Sequence, residues 1–319
     1  MSHSAILDTP PSTGQRRNGA SALRDSSLPT GFSREFHLEL FRKTVFNRSF
    51  ELATAEAMQA GEVKVPIYLG VGQEHIAATL SIIFNNPAIF AQHRAHSYYL
   101  SYGGRAQDLA DELLGLPSGC AGGRGGSASI HHPGIPMYGH SGLMGDQVPL
   151  SVGYALTTGR PTLTVVGDAS GEEDYALGAM GYAVTKKAPV LFLCEDNNLS
   201  ILTPVATRRS WNITEVARSF GMPAVDISDD PWLIAQSVER LLPQLPAYIN
   251  IRTCRHLWHA GAGCDGEPEW NRFEMIRQTL DELGYAGDCD YLERSCRERV
   301  DEIWSRAIAK LHERRQTAN

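Results

Sequence analysis

From residue 148 to residue 252 short apolar runs alternate with helix-length segments, and no other feature of the chain constrains its fold as strongly. The runs 162–166, 189–194, 223–227 and 247–252 are rich in Val, Ile and Leu and bounded by Pro, Gly or acidic residues. A continuous apolar run of this length suits a strand buried on both faces. Helical segments are read over 148–158, 172–185 and 232–242. Strand, helix, strand in this order implies right-handed crossovers between parallel strands. The expected fold is α/β, a doubly wound parallel sheet with helices on both faces.

Upstream, Phe36, Leu40, Val45, Phe46, Phe50, Ala53 and Met58 recur at helical spacing, and Gly61 closes a long first helix. A second apolar helix is expected over 76–84 and a buried strand over 88–91. Residues 103–149 read as loop-rich, with glycines at 122, 123, 125 and 126 and again at 139, 142 and 145. A loop region this long is usually functional. Residues 1–30, rich in Ser, Pro, Gly and Arg, read as a flexible arm; Asp8, Asp25 and the lack of an amphipathic stripe weigh against a transit peptide. The expected organisation is this arm, an α/β domain over 31–268 and a charged helical extension over 269–319.

Composition excludes several partners. With 29 Lys and Arg against 36 Asp and Glu the formal charge is −7, and no basic run supplies the footprint of a nucleic-acid binder. No apolar stretch is long enough to span a membrane. The 6 cysteines form no C-x-x-C pair, so reduced thiols and a cytoplasmic location are expected.

Ligands of an open parallel sheet bind beyond the carboxyl ends of its strands. The run 162–166 leads into Gly167-Asp168-Ala169, and 189–194 leads into Glu195-Asp196-Asn197-Asn198. Asp168 and Asn197 lie 29 positions apart, the length of one crossover unit, which can bring both to one crevice. One carboxylate and one amide oxygen form part of a hard-oxygen set suited to Mg²⁺, whose other ligands would be water and a diphosphate. The competing reading is that Asp168 caps a helix and Asn197 shapes a turn.

Gly72-Gln73-Glu74, His93-Arg94, Gly125-Gly126-Ser127, Gly142-Leu143-Met144-Gly145, Asp146-Gln147, Gly167-Asp168, Glu173, Pro189 and Glu195-Asp196-Asn197 occur in this order between roughly 35 and 265. In this series the chain resembles the alpha subunit of the thiamine diphosphate-dependent decarboxylating component of 2-oxo acid dehydrogenase complexes, the pyruvate, branched-chain and acetoin types included. The resemblance implies a thiamine diphosphate-binding fold and Mg²⁺ held by Asp168, Asn197 and the backbone carbonyl of Leu199. It places Gly167, Ala169, His93 and Arg94 at the cofactor, Arg94 against the diphosphate. The Gly142 carbonyl would accept from the aminopyrimidine, and Met144 would support the bent cofactor; the alternative for Met144 is ordinary core packing. His259 would approach the diphosphate and the reacting centre, His131 is a second catalytic candidate, and His140 a substrate candidate. His131 and the adjacent His132 stand about two residues from the family's histidine, and a packing or surface role competes for them and for His140.

No second cofactor half is evident. The resemblance therefore implies a beta-like subunit that supplies the activating glutamate in an α2β2 heterotetramer, with a lipoyl or other carrier protein as acceptor. The expected reaction is decarboxylation of a small 2-oxo acid and transfer of the acyl or aldehyde unit. A transketolase-like ketol transferase or ligase acting on a ketose, and a non-catalytic binding subunit, are the alternatives. Several positions depart from the family pattern: His93 replaces a usual Tyr, Ala169 a Gly, Asp174 a frequent Gly and Ala260 a frequent Ser. At Ala169 the substitution is costly if the backbone needs positive φ and free if it is helical.

Overall fold

A computed structural model describes residues 28–131, 134–264 and 267–317. Six parallel strands form the central sheet, in the order β2-β1-β3-β4-β8-β7: β1 (Ala88–Phe90), β2 (Met137–Tyr138), β3 (Thr162–Gly167), β4 (Val190–Asp196), β7 (Ala224–Ser228) and β8 (Ala247–Arg252). A small antiparallel hairpin, β5 (Leu199–Ser200) with β6 (Thr203–Pro204), follows β4.

The continuous apolar runs have a direct explanation in the layers. Leu163, Val165, Leu191, Leu193, Ile249 and Ile251 enter one core. Their neighbours Val166, Val190, Phe192, Cys194 and Tyr248 enter the core on the other side. Side chains alternate across a strand, so two apolar faces make every position apolar. The first core is closed by α1 (Arg34–Gln59), α2 (Glu74–Ile83) and α9 (Pro231–Leu241); the second by α5 (Gln147–Thr158), α6 (Asp174–Lys186) and α8 (Ile213–Ser219).

Local chemistry sets the helix limits. The Ser33 hydroxyl accepts from the Phe36 amide at the start of α1, and Gly61 leaves its end at φ 75°. Asp230 accepts from the Trp232 and Leu233 amides at the start of α9, with Pro231 in its first turn. The chain finishes in α10 (Arg272–Glu282) and α11 (Ala286–Thr317), which pack back on α1: Trp304 lies 5.7 Å from Phe50 between ring centroids, and Ile276, Leu280 and Cys296 share a cluster with Leu40 and Phe41.

Several boundaries differ from the sequence expectation. β4 extends through Glu195 and Asp196, because β8 pairs with both, Glu195 opposite Ile251 and Asp196 opposite Arg252. The helix expected over 172–185 is split into a 3-10 turn at Ser170–Glu172 and α6, with Glu173 extended between them. The loop-rich region holds a helix, α4 (Ala106–Leu113), preceded by the short α3 (His96–Ser101). The arm expected over 1–30 falls almost wholly outside the described residues, as does His132. Among the described residues no helix is long and apolar enough to cross a membrane.

Candidate functional site

Strands β3 and β4 are adjacent and parallel, with Gly167 opposite Glu195, so Asp168 and Asn197 leave neighbouring strand mouths at the same edge of the sheet. Asp168 is buried, and its carboxylate accepts from Arg208 at 2.8 Å. Arg208 also reaches Glu172 at 2.7 Å, while Arg209 donates to the Asp168 carbonyl at 3.0 Å and to Glu172 at 2.7 Å. A carboxylate this deep keeps its charge only against a cation, and here a guanidinium supplies it. Arg208 and Arg209 come from the short α7 (Val205–Arg208) and the residue after it, which the hairpin folds back over the strand mouths.

The Asn197 side chain accepts from the Leu199 amide at 3.1 Å and donates to Gln73 at 3.2 Å, while Asp196 accepts from the Asn198 amide at 2.9 Å. These Asx turns hold Asn198 at φ 68° and set the Leu199 backbone beside Asn197. The turn-forming role weighed for Asn197 is therefore real. It coexists with a set of hard oxygen donors, the Asp168 carboxylate, the Asn197 amide and the Leu199 carbonyl, whose chemistry fits Mg²⁺. Asp168 caps no helix: α6 begins after an extended Glu173. Ala169 has φ −83° and ψ −46°, helical values, so replacing Gly there costs nothing in backbone strain.

A second group of side chains gathers at the ends of β1, β2 and β8. His93 lies 5.6 Å from His259, 6.1 Å from His140 and 4.7 Å from Tyr68 between ring centroids. Arg94 donates to the Leu69 carbonyl at 2.9 Å, to the His259 carbonyl at 2.9 Å and to the His259 Nδ1 at 3.1 Å. A guanidinium only donates, so the Nδ1 atom accepts and the His259 proton sits on Nε2. The same logic applies at His140, whose Nδ1 accepts from the Gly142 amide at 2.9 Å. Its Nε2–H is buried without a protein partner, as are both ring nitrogens of His93.

Burial, reinforced by the Arg94 charge, pushes His93 down to about 2, and burial also lowers His140. These rings are neutral at working pH. Arg94 and two imidazole N–H donors therefore surround buried nitrogens that lack protein partners, an arrangement suited to a phosphate or carboxylate oxygen. His131 is exposed.

The loop that carries Gly142, at φ 103°, and Met144 is solvent-facing. Met144 is 38% exposed and Leu143 60%, so the core-packing alternative for Met144 fails. The loop is anchored by Gly145, where a Cβ would lie 2.7 Å from the Ser170 carbonyl, and by the Tyr175 hydroxyl, which donates to the Met144 carbonyl. Gly167 passes so close to Gln92 that a Cβ would lie 3.1 Å from its amide oxygen.

Two buried networks were not expected from the sequence. Glu195 accepts from the Tyr98 hydroxyl at 2.7 Å and from the Gln92 amide, and burial pushes its carboxyl up to about 7. The Glu51 carboxylate meets His96 Nδ1 at 2.9 Å, and His96 Nε2 meets the Ser127 hydroxyl at 2.9 Å. Ser127 and Glu51 also accept from the Tyr68 and Gly70 amides, so this chain of groups braces the segment carrying Tyr68 rather than exposing a nucleophile. Ser127 in the glycine-rich series was the available signal.

The family model described as "Dehydrogenase E1 component" matches residues 42–239. The pyruvate dehydrogenase E1 component subunit alpha of Rickettsia bellii is 23% identical over 293 residues, 84% of this chain and 90% of that protein. The mitochondrial subunit alpha-1 of Oryza sativa subsp. japonica is 28% identical over 301 residues, 86% of this chain and 76% of that protein. Among solved structures, the transketolase of Campylobacter jejuni superposes with a TM-score of 0.56 at 16% identity, covering 88% of this chain and 48% of that one. This chain spans about half the length of that transketolase, and the likeness is one of fold.

Proposed function

The chain belongs to the dehydrogenase E1 component family, and from that premise we propose that it is the alpha-like subunit of a thiamine diphosphate-dependent enzyme that decarboxylates a small 2-oxo acid and passes the remaining unit to a lipoyl or other carrier. The observation that carries this reading is the adjacency of β3 and β4, which sets Asp168 and Asn197 at neighbouring mouths. Bound thiamine diphosphate supplies an electron sink for breaking the carbon–carbon bond beside a carbonyl. In this reading Asp168, Asn197 and the Leu199 carbonyl hold Mg²⁺, and Gly167 and Ala169 line the diphosphate.

Arg94 neutralises phosphate charge and fixes the His259 tautomer, so that Nε2–H is presented as a donor. His93 and His140 stay neutral and offer hydrogen bonds without adding charge. The Gly142 carbonyl and Met144, on the exposed loop, orient the far end of the cofactor. A beta-like chain supplies the activating carboxylate and the rest of the pocket. His131, exposed on the described surface, has no role in this site unless that chain covers it.

Asp168→Ala tests the reading. In the assembled complex the variant should fold and assemble yet lose Mg²⁺-dependent thiamine diphosphate affinity by about 100-fold, the scale on which metal-site residues act. Titration calorimetry that finds the affinity unchanged rejects the metal assignment. Mass spectrometry of proteins captured with the native chain should identify a beta-like subunit.

A further inference from the structure

Away from the strand mouths, α1, the turn joining α3 to α4, and α11 enclose a cleft of about 520 Å³. Arg42, Lys43, Arg105, Arg299 and Arg306 line it, and no Asp or Glu does. In a chain whose formal charge is −7, five cations around one cleft mark a local reversal of sign.

The neighbouring acids cancel it only in part, three carboxylates standing beside five cations. Glu39 pairs with Arg42 at 2.7 Å and sits 3.8 Å from Lys43, Asp108 is 3.8 Å from Arg105, and Glu302 is 3.9 Å from Arg306. The Arg42–Glu39 pair is bidentate and offsets that cation, whereas the contacts at 3.8–3.9 Å are weak and screened, so Arg105, Arg299 and Arg306 keep most of their charge toward the cleft. Arg299 has no carboxylate partner among the described residues; its guanidinium lies over the Phe46 ring, 5.4 Å from the centroid. Lys43 is held in place by the Ser81 hydroxyl at 2.9 Å and the Ser101 carbonyl at 2.6 Å.

The turn itself is built for close backbone approach. Gly104 tolerates no Cβ, which would lie 2.3 Å from the Tyr99 ring, and Gly103, at φ 98°, opens onto free space. Phe46, Leu100 and Ile303 add apolar surface, and Asn47 and Gln107 add amides. The volume falls within the about 300–1,000 Å³ of small-molecule sites. Guanidinium groups match phosphate oxygens in geometry as well as charge.

We propose that this cleft binds a small molecule bearing a polyphosphate chain, with a nucleoside polyphosphate as the form that also uses the apolar floor. The proposal is independent of the thiamine diphosphate reading, since it shares no residue with that site. The test is calorimetric titration of the 319-residue chain with AMP, ADP, ATP and inorganic tripolyphosphate at physiological salt. Asp168→Ala and the double variant Arg299→Gln, Arg306→Gln are titrated alongside. Both arginines are exposed, so the double variant should match the parent in thermal melting.

Affinity should rise from AMP to ATP and fall at least about tenfold in the double variant, the loss of charge-assisted contacts. It should be unchanged in Asp168→Ala. ATP binding tighter than tripolyphosphate supports a nucleotide; equal binding supports an inorganic chain in the same cleft. Absence of saturable binding, an affinity untouched by the double variant, or loss in Asp168→Ala alone overturns the proposal.

Discussion

Replacement of Glu195 by Gln should remove one pH-dependent contribution from the stability of the chain. Glu195 is buried at the end of a central strand, and its carboxyl is raised from 4.5 to about 7, burial outweighing the bonds from Tyr98 and Gln92 and the Arg94 charge. Between these two values the folded chain retains a proton that the unfolded chain has released. The stability that Glu195 contributes is therefore fully present below 4.5 and is lost as pH rises through about 7. At about 1.4 kcal/mol per pKa unit, the ionised side chain costs about 3 kcal/mol at alkaline pH. The Gln variant removes that cost. It can still accept from Tyr98, but its amide nitrogen faces that of Gln92, which must flip, a cost of about 1 kcal/mol at every pH. Urea unfolding followed by tryptophan fluorescence, at fixed protein concentration, should find the two proteins within about 0.3 kcal/mol of each other near pH 5 and the variant more stable by about 2 kcal/mol near pH 8.5. Differencing the two proteins cancels every other titrating group. Parallel curves would refute the reasoning, since they would mean that Glu195 titrates alike in both states.

Changes at other positions separate chemistry from architecture. His259→Ala should abolish turnover of the assembled complex while leaving thiamine diphosphate bound, as read by calorimetry beside steady-state rates; full activity removes His259 from the site. Gly72→Ala places a Cβ 2.3 Å from the Cys254 carbonyl oxygen at φ 97°, and should cost more than about 2 kcal/mol. Gly61→Ala, at φ 75° with nothing nearby, should cost about 1 kcal/mol in the same denaturation assay. Ala169→Gly restores the residue common in the family yet should lower stability by about 0.5–1 kcal/mol, because the backbone there is already helical; a gain would show that Ala169 is strained.

The central strands were legible because two-sided burial writes itself into sequence as unbroken apolar runs; the expected 247–252 coincides with β8. The end of β4 was not legible. Glu195 and Asp196 look like loop residues by propensity, and what allows them into a buried strand arrives from elsewhere: Tyr98 and Gln92 for Glu195, and for Asp196 the amide of Asn250 at 3.3 Å. Strand β2 has only two residues and, among the described residues, pairs with β1 alone, so no local pattern could announce it. In the site, Asp168 and Asn197 were legible from their places after apolar runs. Arg208 was not, because its approach to Asp168 depends on the hairpin of β5 and β6, a turn of the chain rather than a periodicity.

That same hairpin bears on why the proposed site needs a second chain. Ile201 and Leu202 at its tip are 52% and 57% exposed, and Leu143 on the loop before α5 is 60% exposed. Both loops are tied to the segment that follows β3. Arg208 and Arg209 bind Asp168 and Glu172, and Gly145 and Met144 abut Ser170 and Tyr175. Isolated apolar side chains on a surface need no explanation, but two apolar loop tips fastened to the one segment that follows β3 do. Their backbones are held by specific hydrogen bonds, from Tyr175 to the Met144 carbonyl and from Arg255 to the Ile201 carbonyl, while their side chains face outward, the pattern of a surface shaped before its partner arrives. A beta-like subunit docking on these tips would enclose the mouths of β3 and β4, excluding water from the half-buried Asn197 beside Asp168 and strengthening the charge interactions there.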